Sequence, residues 1–365
     1  MNKSTIHNYQ IVMVGPDPED MGGIARVVKN WQAEGLFAEY HITYISTTSD
    51  SSHSKVTLFL KQLFHFLKVC RGERTVVYIH TSSFKSFYRK CIFIVLSLLH
   101  NVPIVLHIHP SHFFTFLSRQ SKFTHKFTIS LLRRVTCFVV LTAGSLTSIN
   151  QLFPHTPAFV LHNIVQSSLL GQHNVARLSG KALFLGWYVK KKGIYELVDA
   201  IEILLNRGYL VELECFGTKG ERQLRTYVTL KNLEQRIKIN GWADDKTKLD
   251  ALLTSTMLIL PSHTEGIPNV ILEAWATRTP VVSTPVGGLA EILIDGYNAI
   301  VAEPENPYHL SLTIEKCLNQ PELRKKIADN AYLTVLEEYS MPTIRRQFAR
   351  IVTNAFKQSG VYKDT

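Results

Sequence analysis

One pattern constrains the fold of this chain more than any other: short apolar runs, each followed by a stretch of helical spacing, repeat along its whole length. "QIVMVG", "VVYIH", "PIVLHIH", "CFVVL" and "AFVLH" occupy the first half, and "KALFLG", "VELECFG", "IKING", "MLILPS", "TPVVSTP" and "AIVAE" the second. Strand and helix in alternation build parallel sheets with helices on both faces. A chain of 365 residues with 45% apolar content is long enough for two such sheets, each with its own core. The stretch 165–181, "VQSSLLGQHNVARLSGK", is polar, bears Gly and Ser, and is poor in strand signal, so it separates them. The expected architecture is therefore α/β, with an N-terminal domain over 1–165, a linker over 166–180 and a C-terminal domain over 181–342. Ligands of such sheets bind outside the carboxyl ends of the strands, which directs attention to the loops after the apolar runs.

Several function classes drop out early. Cys70, Cys91, Cys137, Cys215 and Cys317 lie far apart with no C-x-x-C, which argues against a disulfide framework or a cysteine zinc site and for a reducing compartment. The start, "MNKSTIHNYQIVMVG", lacks the charged, apolar and small-residue zones of a signal peptide. The most apolar window, "CIFIVLSLLHNVPIVLHIH", is interrupted by Asn101 and Pro103, and its unbroken part is far shorter than the roughly 20 residues of a membrane span. The expectation is a cytoplasmic chain without a transmembrane helix.

The stretch "PSHTEGIPNVILEAWA", 261–276, carries the most specific chemistry. "MLILPS" reads as a buried strand, "HTEG" as a loop, and Pro268 as the first residue of a helix through "NVILEAWATR". Glu265 then stands on the loop and Glu273 about 8 Å along the helix, at 1.5 Å per residue. Between them lie the free N–H groups of a helix start, which attract anions, beside Gly266, which allows close approach to the backbone. Two acids flanking an anion site suit a phosphate with a polyol on each side, as in a nucleotide sugar. A solvated loop acid and a first-turn acid that complements the helix dipole are the plainer alternative.

Other strand-loop-helix units add to this. After "KALFLG" the loop "WYVKKK" places Lys192 before Gly193 at a helix start, where a lysine can neutralise a diphosphate as a point charge. "IVMVGPDPEDMGGIARVV" opens its helix with Gly22 and Gly23 but lacks G-x-G-x-x-G, so it is not read as a dinucleotide site. Gly287 and Gly288 precede a further helix near Leu289, where they line a ligand or turn the chain. His107, His109 and His112 in "HIHPSH" permit a metal reading, since H-x-H at a strand end can hold zinc. No third and fourth ligand is evident nearby, and no acidic metal motif such as D-x-D is present.

In the order F-x-G with K-G, then P-S-x-x-E-G-x-P-x-x-x-L-E-A, then P-V-V-x-T-x-V-G-G-x-x-E-x-x-x-D-G, the chain resembles the retaining glycosyltransferases of family four, which have the GT-B fold: two Rossmann-like parallel-sheet domains facing a central cleft. The resemblance is specific over about 181–345 and looser before it, where Gly22, Gly23 and "HIH" at 107–109 match in place and kind. It implies that Glu265 faces the donor sugar, that Glu273 holds the ribose, and that Gly266, Ile267, Pro268 and Asn269 supply the turn and backbone contacts. Lys192 would bind the diphosphate and His109 would reach the sugar. The family pairs that lysine with an arginine directly after the first loop glycine, but here Gly186 is followed by Trp187, and Lys190 or Lys191 is the expected substitute. A C-terminal helix at about 343–358 is expected to pack back on the first domain, as in relatives.

The implied activity is metal-independent transfer of a sugar, with retention, from a nucleotide diphosphate donor to an acceptor hydroxyl. A glycosidase would also use two carboxylates, but flanking one bond; a sugar-nucleotide-binding protein without turnover, or transfer to a soluble acceptor, are the remaining alternatives. The charge points to the acceptor. The net charge is +11, and residues 51–135 hold thirteen Lys or Arg against one acid, Glu73, which is +12 for the segment. These bases are interleaved with apolar residues, as in "FLKQLFHFLK", and no nucleic-acid motif accompanies them. The expectation is peripheral association with the anionic inner face of the cytoplasmic membrane, a lipid-linked glycan acceptor of cell-envelope polysaccharide assembly, and no nucleic-acid partner.

Overall fold

The computed structural model describes residues 10–52, 54–71, 74–110, 112–171 and 175–358. They form two compact units, one ending at Gln166 and regained at Met341, the other spanning Ser167–Ser340.

The first unit is built on six strands: β1 (Gln10–Gly15), β2 (Ile42–Ser46), β3 (Thr75–Thr81), β4 (Ile104–Ile108), β5 (Cys137–Val140) and β6 (Ala158–Val160). They lie in the order β2-β1-β3-β4-β5-β6, all parallel. All seven residues of β3 and all five of β4 are buried, because helices cover both faces and leave no polar side to the sheet. The helices Lys55–Val69, Lys85–Leu99 and Lys122–Leu132 cover one face through Phe66, Phe87, Phe93, Ile94 and Leu132. On the other face the helices Gly23–Ala33 and Met341–Gln358 pack through Trp31, Ile344, Phe348 and Ile351. The last helix among the described residues therefore belongs to the first unit.

The second unit carries β7 (Leu178–Leu185), β8 (Glu212–Phe216), β9 (Ile237–Asn240), β10 (Ser255–Leu260), β11 (Val281–Ser283) and β12 (Ile300–Val301) in the parallel order β12-β11-β10-β7-β8-β9. Strand order reverses between β7 and β10, and at such a switch point ligands bind outside the carboxyl ends of the strands.

Two boundaries differ from expectation. The expected linker reaches residue 180, yet β7 begins at Leu178, and residues 172–174 lie outside the described residues. Arg177, just before that strand, donates to the carbonyl oxygens of Leu252, Ser255, Thr277 and Arg278 at 2.8–2.9 Å. It ties together the ends of two helices, where carbonyl groups lack intrahelical partners, so this end of the expected linker is part of the second unit's framework. Pro268, expected as the first helical residue, is instead the N-cap with ψ 130°, and the helix runs Asn269–Ala276.

Candidate functional site: a lysine-held pair of carboxylates

The loops after β7 and β10 meet at the switch point, and glycine is the reason they can. A Cβ on Gly193 would lie 1.9 Å from the Pro261 carbonyl oxygen, and Gly193 also has φ +67°, a region that favours glycine. A Cβ on Gly217 would lie 2.0 Å from the Gly186 carbonyl oxygen. The loop Gly186–Gly193 is thus pressed between its neighbours, and the His263 N–H donates to the Lys191 carbonyl at 2.9 Å.

This apposition brings Lys192 to Glu265. Its Nζ donates to Glu265 Oε1 at 2.5 Å, and the Ser262 hydroxyl donates to the same oxygen at 2.6 Å. The Glu265 side chain is nearly buried, while Lys192 keeps about a quarter of its side chain exposed. The Glu265 carbonyl accepts from the N–H of Gly288, which ties the Gly287–Gly288 turn to the same loop. Glu273, on the helix Asn269–Ala276, is held separately: Lys248 Nζ donates to its Oε1 at 2.7 Å, with both side chains largely buried. The start of that helix has no side-chain cap, and Gly266, Ile267, Pro268 and Asn269 form its approach.

Lys192 and Glu265 thus pair on the loops before the helix, and Glu273 pairs with Lys248 from the second turn of the helix, not from its first turn as the plainer alternative expected. Lys190 and Lys191 are exposed to solvent. At this site sequence reasoning missed three residues. Lys248 sits on the helix Asp245–Thr254, whose start is fixed by the Thr247 N–H donating to the Asp244 carboxylate, and nothing in its spacing marks it as the partner of Glu273. Ser262 was read as the end of the strand "MLILPS", whereas β10 ends at Leu260. Lys219 lies 3.7 Å over the ring of Trp187, so a cation stands at the very position where the family arginine is replaced.

In the first unit, the ends of β3 and β4 assemble a second group. His80 pairs in register with His107, and His109, two residues on, points to the same face. His80 Nδ1 and His109 Nε2 are 2.9 Å apart, and the Tyr78 hydroxyl is 3.0 Å from His107 Nδ1. Burial pushes the imidazoles of His80 and His107 well below their ordinary value, and that of His109 down to about 3. All three are therefore neutral. Their ligand atoms lie within 4.8 Å of one another, so among the described residues these three could hold a metal ion. His112 does not join them; it heads the helix Phe113–Ser118, with its ring 6.3 Å from that of Phe84. Gly22 and Gly23 stand at the start of their helix with open space where a Cβ would be, so packing in this chain does not require glycine at either position. A groove of about 660 Å³ along the helix Met341–Gln358, lined by Tyr40, Phe159, Arg346 and Arg350, contains none of these candidate residues.

Comparison with known proteins bears on this arrangement. The family described as Glycosyl transferases group 1 matches residues 172–334, which include the whole of the lysine-held carboxylate site. An uncharacterized glycosyltransferase of Methanocaldococcus jannaschii is 33% identical over 176 residues, 47% of each chain. The capsular polysaccharide biosynthesis glycosyltransferase CapM of Staphylococcus aureus is 27% identical over 179 residues, 48% of this chain and 46% of its own. The chain spans about half the length of these curated relatives. Among solved structures, that of Anabaena HepE in complex with UDP and glucose superposes with a TM-score of 0.72 at 17% identity, covering 94% of this chain and 99% of that one. The two parallel-sheet units are those of a GT-B fold.

Proposed function

We propose that this chain, whose residues 172–334 are a glycosyl transferases group 1 domain within a GT-B fold, is a glycosyltransferase that moves a sugar from a nucleotide diphosphate donor to an acceptor hydroxyl. The observation that carries the reading is the pair of lysine-held carboxylates, Glu265 before the helix Asn269–Ala276 and Glu273 within it, on either side of a helix start that has no side-chain cap. A carboxylate accepts the hydroxyl protons of a sugar or ribose, and a helix start with a lysine beside it receives phosphate.

In this reading Glu265 binds the sugar hydroxyls and Glu273 the ribose. Lys192 turns its remaining N–H donors to the diphosphate while Glu265, itself fixed by the Ser262 hydroxyl, holds its head in place. Gly266, Ile267, Pro268 and Asn269 provide the close backbone, Gly186 and Lys191 belong to the phosphate side, and Lys219 on Trp187 contributes the second cation there. Burial keeps His109 neutral, so a hydrogen bond from it adds no charge, and Gly22 and Gly23 have open space where a Cβ would be. Transfer proceeds with retention: the departing phosphate oxygen takes the proton of the acceptor hydroxyl as that hydroxyl attacks the same face of the sugar. The protein's part is positioning and stabilisation of the developing diphosphate charge, for which Lys192 and the helix start suffice without a metal.

CapM is named for capsular polysaccharide, and HepE was crystallised with UDP and glucose, which supports a nucleotide-sugar donor and a cell-envelope glycan product. The acceptor in this reading is a lipid-linked glycan at the inner face of the cytoplasmic membrane. The contact proposed is peripheral; among the described residues no helix is long and apolar enough to cross a membrane. A thermal-shift screen of nucleoside diphosphates and their sugars tests the donor class: one base should raise Tm with its sugar conjugates, through binding to the folded state alone. A screen in which no nucleotide diphosphate shifts Tm contradicts the proposal.

A further inference from the structure

Three helices of the first unit are apolar on the side that faces away from the sheet. On Lys55–Val69, Val56, Leu60 and Phe64 recur every four residues, 58–70% exposed. On Lys85–Leu99, Tyr88, Ile92 and Leu99 continue one exposed stripe, and on Lys122–Leu132 Phe123 is 84% exposed with Phe127 one turn on. The same helices bury their inner sides: Phe66 and Phe93 meet edge to face at 5.0 Å, which sets the first two helices side by side. The helix Lys55–Val69 has one fully buried residue, Phe66, in four turns, so most of its apolar surface is left over after the fold is built. Isolated exposed apolar residues need no explanation, but aligned stripes on adjacent helices mark an interaction surface.

The flanking charge identifies the partner. Lys61, Lys68, Lys85, Lys122, Lys126 and Arg133 are all exposed around the stripes. Among the described residues from 54 to 135 there is no Asp or Glu at all. A second copy presenting this face would bring like charges together, which disfavours self-association. Nucleic acid answers the bases but leaves Leu60, Phe64 and Phe127 without a partner. An anionic bilayer answers both, with apolar side chains at the level of the headgroups and lysines among the phosphates. Of the thirteen bases in 51–135, Lys90 does not take part: it is fully buried and donates to the Thr47 hydroxyl.

We propose that the outer face of these three helices docks on an anionic membrane, with Leu60, Phe64, Phe123 and Phe127 inserted into the interface. The inference specifies the membrane contact of the reading above, and it stands apart from the donor chemistry. It differs from electrostatic adsorption in one respect, that salt weakens the attachment but does not abolish it.

The test is flotation with vesicles of phosphatidylcholine alone or mixed with phosphatidylglycerol, at low salt and at about 1 M, where the Debye length is about 3 Å. The full chain should float with mixed vesicles at low salt and keep a measurable bound fraction at high salt. The variant Leu60→Ser/Phe64→Ser/Phe123→Ser/Phe127→Ser should bind at least about tenfold more weakly at low salt and not at all at high salt. Should that variant lose its circular-dichroism signature, Lys61→Glu/Lys126→Glu, at exposed positions, should show the same loss at low salt. Unchanged flotation of a folded variant overturns the proposal. So does a wild-type chain that fails to float, whether monomeric or associated through this face in sedimentation velocity. Donor binding by calorimetry on the same preparations reads the carboxylate site, so failure there and failure on vesicles are told apart.

Discussion

The ammonium of Lys192 lies 2.5 Å from Glu265 Oε1 across 73 residues of sequence, and Ser262 donates to the same oxygen. The pair exists because Gly193 lets the loop after β7 touch the backbone of Pro261. It joins the group assigned to the diphosphate to the group assigned to the sugar, so the site carries its charges already in position before donor arrives.

Lys192→Ala removes a cation from a nearly buried carboxylate as well as from the ligand. The expected loss of stability is about 1–3 kcal/mol, the cost of a charged group left without its partner. Turnover should fall by far more, about 10²–10³-fold, the effect of removing one donor to a developing charge. Adding Glu265→Gln to Lys192→Ala should restore much of the lost stability and none of the turnover. Recovery of turnover in the double variant contradicts the assignment of Lys192 to the diphosphate.

Acid should loosen the first unit. The imidazoles of His80, His107 and His109 are held neutral by burial, that of His109 down to about 3, whereas in the unfolded chain each titrates near 6.5. Below 6.5 the unfolded chain binds more protons than the folded one. The stability contributed by the neutral rings is therefore complete above pH 6.5 and is lost as pH falls toward 3. Tm should be level above about pH 7 and fall below 6.5, with a gentler fall in His109→Gln, which has one titrating group fewer. Equal slopes in the two proteins contradict the account of the cluster.

Arg177→Ala should destabilise the second unit by more than about 3 kcal/mol, since several carbonyl groups lose a charged donor at once. Arg177→Lys should not rescue it, because an ammonium cannot reproduce the planar fork that meets Leu252, Ser255, Thr277 and Arg278 together. Denaturant melts give the answer, and wild-type stability of either variant would contradict it.

Turnover should survive exhaustive EDTA treatment, since in the proposed mechanism diphosphate charge is met by Lys192 and backbone N–H groups. Loss of activity in chelator, restored by zinc, would assign a working metal to His80, His107 and His109.

How far the sequence foretold this structure depends on the range of the interaction concerned. Strands such as β3 and β10 were plain because sheets covered on both faces require nearly continuous apolar runs. The start of β7 was not, because Leu178 and Ser179 are exposed and the apolar signal begins only at Ala182. The placement of Lys192 and Glu265 on loops and of Glu273 on a helix was legible because loop and helix signals are local. Lys248 and His80 were not, because one meets its partner across 25 residues and the other through strand register. Lys90 was counted among surface bases, although Phe87 and Ile94, three before and four after it, place it on the buried side of its helix.

The most direct test of the central claim is calorimetric titration of nucleotide-diphosphate sugars into the wild type and into Glu273→Gln. The account predicts saturable binding of one donor class to the wild type, and a loss of about 1.5–3 kcal/mol of binding free energy in the variant, the value of one charge-assisted hydrogen bond. The fold should persist, because glutamine still accepts a hydrogen bond from Lys248. Equal donor affinity in the two folded proteins, or no binding of any nucleotide sugar to the wild type, would contradict it.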